Sequence, residues 1–226
     1  MKQYFRRNKM NIFTYLLENP DYILEKTFQH IYIFLISWSF AVITGIFSGI
    51  FITREKNKKI GRIILVIIGI TQSVPSIAVI ALFFLFMGIG FITAAFALFL
   101  YSLVPIVFNT ASGLISVDGN VKEAALGMGM TKKDILFKIE IPMAMPSVFS
   151  GIRNSAVINI ATATVAATIG AGGLGVIIFT GLSHFNASMI FAGAVPVSFL
   201  ALSIDLILGF LEKKFTSEGL KISEEG

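Results

Sequence analysis

The 226-residue sequence predicts an all-α integral membrane protein with five crossing helices. Its residues are 55% hydrophobic and 14% charged, and mean hydropathy is +0.84. A soluble domain of this size would carry nearer a quarter charged residues. Acids and strong bases are absent from Thr27 to Thr53, Ile63 to Val117 and Asn154 to Ile204. About 20 apolar residues cross the hydrocarbon. The first interval therefore holds one span, and the second holds two. The third holds two, with a non-spanning piece between them.

The elements follow in order. Residues 10–28 mix Ile12, Tyr15, Leu16 and Ile23 with Glu18, Asp21, Glu25 and Lys26, and Pro20 interrupts them. That pattern reads as a pair of interfacial helices rather than the apolar core of a signal peptide. Span 1 is expected over His30–Ile52, with Trp38 packed mid-span. The loop 54–62 carries five positive charges against one negative and stays cytoplasmic. Span 2 is expected over Ile63–Phe86 around Pro75, followed by an outer turn at Met87–Gly90. Span 3 is expected over Phe91–Asn109. Span 4 starts near Pro146 and reaches Thr168. Span 5 runs over Ala187–Leu211 and is closed by Glu212, Lys213 and Lys214 on the inner side.

Five spans with the C-terminus inside place the N-terminus outside, despite its basic residues; the alternative is a sixth segment, re-entrant or spanning, at either end. The chain thus divides into an N-terminal interfacial or extracytoplasmic segment (1–29), a transmembrane domain (30–211) and a cytoplasmic tail (212–226). The net charge of +5 lies mainly at the ends and in the loops, where it sets topology, so no nucleic-acid partner is needed. Without cysteine there is no disulfide, thiolate metal site or cysteine nucleophile.

A polar island at 117–142 interrupts the apolar pattern. Asn120-Val-Lys-Glu123 and Thr131-Lys-Lys-Asp134 each have the form of a capping box, in which two side chains satisfy orphan amides reciprocally. Gly127 and Gly129 between them cost a helix about 1 kcal/mol each against alanine. A helix–turn–helix along the inner membrane face is expected. Glu123-Ala124-Ala125, Gly129 and, after nine further residues, Ile139-x-Ile141-Pro142 resemble the cytoplasmic "EAA" loop of binding-protein-dependent ABC importers. The family pattern has Leu where Ile141 stands.

With Gln72-Ser-Val-Pro75, Gly127-Met-Gly-Met-Thr131 and Gly170-Ala-Gly172-Gly173-Leu174-Gly175, the chain is similar to permeases of the osmoprotectant branch, which import glycine betaine, carnitine or choline. The resemblance implies a type I importer permease fold in the bacterial plasma membrane. Glu123, Ala124, Ala125, Gly129, Ile139 and Pro142 would form a coupling helix and its supports, docked on an ABC ATPase subunit. It also implies an extracytoplasmic binding protein and a second permease copy, identical or paralogous. ATP and Mg would sit on the ATPase, with no cofactor in this chain. Similar permeases are linked to ergothioneine import, which stays open as an alternative substrate.

The glycine stretch 170–175 also matches a dinucleotide fingerprint. No β-strand unit surrounds it, and Val195 rather than an acid lies about 20 residues on. Close backbone packing or a turn at membrane depth is the expected reading. Gln72, Ser73, Asn109, Asn159, Thr162 and Thr168 are candidates to line a path, or to bond between helices. Arg153 and Asp205 each lie roughly 10 Å inside the cytoplasmic end of a span at about 1.5 Å per residue. A charge deep in a span costs on the order of 3 kcal/mol, so the two are expected to pair.

His30 and His184 lack acidic or histidine neighbours at metal-ligand spacing. Met128, Met130, Met143 and Met145 read as adaptable packing. A self-powered secondary transporter would need embedded acids or an inverted repeat, and only Asp205 is available. An intramembrane enzyme would need paired acids or a Ser-His pair within the spans, and the sequence supplies none.

Overall fold

The computed structural model describes residues 12–71 and 73–215, and among these all regular structure is helical. Helices α1 (Ile12–Glu18) and α2 (Pro20–Thr53) open the chain. The expectation of a separate interfacial pair ending before His30 is corrected, because α2 is one 34-residue helix starting at Pro20. A proline in the first turn gives up an amide that has no partner there, and Asp21 complements the positive end of the helix. Pro20 thus begins a helix as well as ending the one before it.

The span expected over Ile63–Phe86 is two helices, α3 (Lys58–Thr71) and α4 (Ser76–Met87). Proline disfavours helical geometry at Val74 and offers no amide of its own. Pro75 itself takes an extended ψ of 135° and precedes α4. The Tyr101 hydroxyl donates to Val74 O at 3.3 Å, tying the break to the next helix. Gln72 lies outside the described residues.

Helix α5 (Phe91–Ser116) runs two turns beyond the expected Asn109, straight through Pro105. The island forms α6 (Gly119–Gly127) and the short α7 (Lys132–Ile135). A wide turn at Leu136–Glu140 joins α7 to α8 (Ile141–Ala166) without a break. Span 4 therefore begins a full turn before Pro146. Helices α9 (Leu174–Ser183) and α10 (Ala187–Phe215) complete the fold. Among the described residues, α2, α5, the helix ending in α8 and α10 are long and apolar enough to cross a membrane.

The described residues fall into two compact units, one of 12–40, 74–102 and 156–204, the other of 41–71, 73, 103–155 and 205–215. In the first, Ile33, Ile80, Leu98, Ala163 and Ile169 share a core, and Tyr15 of α1 packs with Leu174, Ile177 and Ala192. The turn before α9 sits against α2. Gly172 and Gly173 have φ of +76° and +79°, and a Cβ on Gly173 would come within 3.0 Å of His30 Nδ1. The Gly173 amide donates to Gln29 Oε1 at 3.1 Å. That is close packing at a turn, with no phosphate cradle.

In the second unit, Ile52, Val107 and Ala111 form a core lined by Ile64, Leu65 and Ile68 of α3. Gly45 and Gly49 let α2 approach Ile106 and Thr110 of α5 within ordinary Cβ clearance, as small residues four apart do in membranes.

Candidate functional site

The loop at 117–142 is built from its caps upward. Helix α6 begins on Asp118, whose side chain accepts from the Asn120 amide at 2.9 Å. The expected cap on Asn120 is thereby moved two residues earlier, since Asp118 offers the same acceptor sooner. At the other end Gly129 takes φ +82°. The Met130 amide donates to Ala125 O at 3.1 Å, and the Gly129 amide to Leu126 O at 2.9 Å. This pair of bonds closes a helix around a left-handed residue, a role that favours glycine. Thr131 and Asp134 then cap α7 reciprocally. Lys138 and Thr131 hold the half-buried Asp134 carboxyl down to about 2.

Along α6 the two faces differ. Ala125 is fully buried, while Glu123 and Ala124 are exposed. Leu126, Met128 and Phe137 are also exposed, Met128 at 75%. A methionine that open does not pack within the described residues. The sequence reading assigned it to packing. Ile139 is half-buried and Pro142 exposed.

Pro142 shapes what precedes it. In an uninterrupted α-helix its ring would strike the carbonyl of Lys138. The turn from Leu136 to Glu140 is instead widened, with the Ile141 amide reaching back five residues to Leu136 O. One extra residue in a turn rotates the preceding side chains by about 100° relative to those that follow.

Glu140 is thereby placed inward, its side chain 11% exposed. Its Oε2 accepts from Arg54 Nη1 at 2.6 Å, and its Oε1 lies 3.1 Å from Lys122 Nζ. Burial pushes this carboxyl up, but Arg54 and Lys122 together outweigh it and leave it below its ordinary value. Sequence reasoning missed Glu140. Arg54 sits at the end of α2 and Glu140 86 residues later, a separation that no local spacing exposes.

The residues expected on a path separate. Asn159 is fully buried and donates to Ser37 Oγ at 3.0 Å and to Ser102 Oγ at 2.6 Å, joining α2, α5 and α8. Thr162 is buried as well. Asn109 is half-buried and donates to Pro105 O of its own helix at 2.8 Å. Ser73 and Thr168 are exposed.

Arg153 meets two carboxylates. Its Nε and Nη2 donate to Asp205 Oδ1 and Oδ2 at 3.0 and 3.1 Å, and its Nη1 donates to Glu212 Oε2 at 2.7 Å. Asp205 and Glu212 lie seven residues apart, on one face of α10. Gly209 between them leaves room for the guanidinium, since a Cβ there would stand 3.2 Å from Arg153 Cζ. The sequence reading gave Arg153 only Asp205.

The family described as "Binding-protein-dependent transport system inner membrane component" matches residues 41–217. The carnitine transport permease OpuCB of Listeria monocytogenes is 39% identical over 215 residues, covering 95% of this chain and 98% of the relative. The glycine betaine/carnitine/choline permease OpuCB of Bacillus subtilis (strain 168) is 41% identical, with coverages of 94% and 97%. The osmoprotectant import permease OsmW of Salmonella typhimurium is 38% identical, with coverages of 94% and 100%. Among solved structures, the inward-facing MetNI methionine ABC transporter superposes with a TM-score of 0.78 at 22% identity, covering 86% of this chain and 96% of that one, a likeness of fold. A match over most of an all-helical, multi-span chain shows that it belongs to the inner membrane components of binding-protein-dependent transport systems.

Proposed function

We propose that this chain is the permease of an ATP-driven importer for compatible solutes of the glycine betaine, carnitine and choline class. Relatives about 40% identical over nearly its whole length carry those substrates in their names, which supports the class. The observation that carries the mechanism is α6. It is a capped helix whose exposed side offers Glu123, Ala124 and Leu126, with Met128 just beyond its end. A soluble ATPase subunit grips that side and, on binding ATP and Mg, moves it.

The permease changes shape because its partner binds one state better than the other. An extracytoplasmic binding protein delivers the solute, and the aromatic cage that selects a quaternary ammonium resides there. A second permease, identical or paralogous, completes the path. Helix α8 supports this pairing, because its exposed residues include Ser150, Asn154 and Ala161. On α2 and α10 the exposed face is Phe40, Phe47 and Phe51, or Phe191, Phe199 and Phe210. Polar and small side chains avoid lipid and face water or another helix. The N-terminus lies outside and the tail inside.

Glu123→Arg tests the reading in membranes expressing permease, ATPase and binding protein. The variant is expected to reach the membrane at the normal level, lose the co-purifying ATPase and lose uptake of labelled carnitine or choline. Retained ATPase and normal uptake would remove the coupling role from α6.

A further inference from the structure

We propose that Glu140 is the positioning residue that makes α6, the end of α2 and the start of α8 move as one piece when the ATPase pushes. It rests on the proposed coupling role of α6 and adds the route by which displacement leaves that helix. Glu140 is the only buried carboxylate among the described residues, and its two oxygens are shared between two cations from different elements. Each cation is fixed in turn. Arg54 Nε donates to Ile50 O at 3.2 Å and its Nη2 to Thr53 Oγ1 at 3.0 Å, locking it to the last turn of α2. Lys122 Nζ also donates to Leu114 O at 3.3 Å, so the same ammonium spans from α6 to α5.

Lys122 and Glu123 are neighbours on α6, the lysine half-buried and the glutamate exposed. The exposed acid faces the partner while the adjacent lysine reaches inward to Glu140. Helix α6 is otherwise short, nine residues with one fully buried side chain, Ala125. A short helix with so little apolar anchorage could pivot without dragging the spans. Two charge-assisted bonds on one carboxylate hold far better than one alanine methyl. The widened turn before Pro142 sets Glu140 in the same rigid helix as α8. The bonds from Arg54 and Lys122 therefore end on a turn that continues without a break into the span.

The test is the amount of solute imported per ATP hydrolysed, measured with the complete transporter in proteoliposomes. For Glu140→Gln the complex is expected to assemble with its ATPase and hydrolyse ATP, while solute per ATP falls about tenfold or more. Glu140→Asp, which keeps the charge on a shorter arm, should recover part of the ratio. Lys122→Gln added to Glu140→Gln should cost little more, because Glu140→Gln has already removed the bond between them. A merely structural residue would lower the yield of complex and leave the ratio of the surviving molecules unchanged.

If Glu140→Gln yields no complex, Arg54→Gln and Lys122→Gln carry the same measurement singly. An unaltered ratio in Glu140→Gln, or in both single variants, overturns the proposal. Glu123→Arg run alongside separates the two ideas. If it keeps its ATPase, the coupling reading fails. If it loses the ATPase while Glu140→Gln keeps the ratio, only the role given to Glu140 fails.

Discussion

Two charged side-chain networks in one compact unit do different jobs at the scale of the residue. Arg153 is a third exposed and binds Asp205 with two nitrogens and Glu212 with the remaining one. Neutralising Arg153 leaves two carboxylates without their shared cation, whereas neutralising either acid leaves Arg153 with the other. Arg153→Ala and Asp205→Ala are therefore expected to be non-additive in melting temperature in detergent, with a coupling of about 1 kcal/mol. Strictly additive effects would mean that the pair contributes nothing as a pair.

Glu140 behaves differently because its carboxyl stands below the ordinary 4.5 in the folded chain. A depressed acid adds stability above its unfolded value and loses it as pH falls through the folded one. The melting-temperature gap between wild type and Glu140→Gln should be constant from pH 8 to 5 and shrink below about 4. A gap that instead grows on acidification would mean the carboxyl is protonated in the fold.

Among the elements, turns decide where the helices start and stop. Gly129 has open space around it, so the φ of +82° alone resists a side chain there. Gly129→Ala should cost about 1 kcal/mol and loosen the end of α6, read as faster proteolysis or hydrogen exchange over 125–131. Wild-type protection in that variant would show that the turn relaxes at no cost.

The sequence carried much of this scale. Charge-free intervals located the four long apolar helices among the described residues but not the break in expected span 2, and Thr131 and Asp134 do form their cap. Prolines misled in both directions. Pro75 divides a helix that hydropathy runs together, while Pro146 sits inside a helix expected to begin beside it. Hydropathy averages over a window and does not see which backbone amide a proline removes. The partners of Arg153 and Glu140 lay beyond such reading for another reason. Depth along a span suggests Asp205 for Arg153, but nothing local shows that Glu212 is two turns away on the same face or that Arg54 reaches Glu140. Asn159 illustrates the same limit. Polarity within a span flags it, and only packing shows that Ser37 and Ser102 already occupy it.

For the whole molecule, membership in a family of inner membrane transport components and the exposed side of α6 lead to one mechanical claim. In the proposed mechanism the chain has spans to be moved and a handle to move them, and ATP on another subunit supplies the energy. Uptake of labelled solute into proteoliposomes, with and without the ATPase and ATP, tests this most directly. The account predicts uptake only when permease, ATPase, ATP and binding protein are all present, and none from the permease alone. Concentrative uptake by the purified permease with no nucleotide hydrolysed would contradict it.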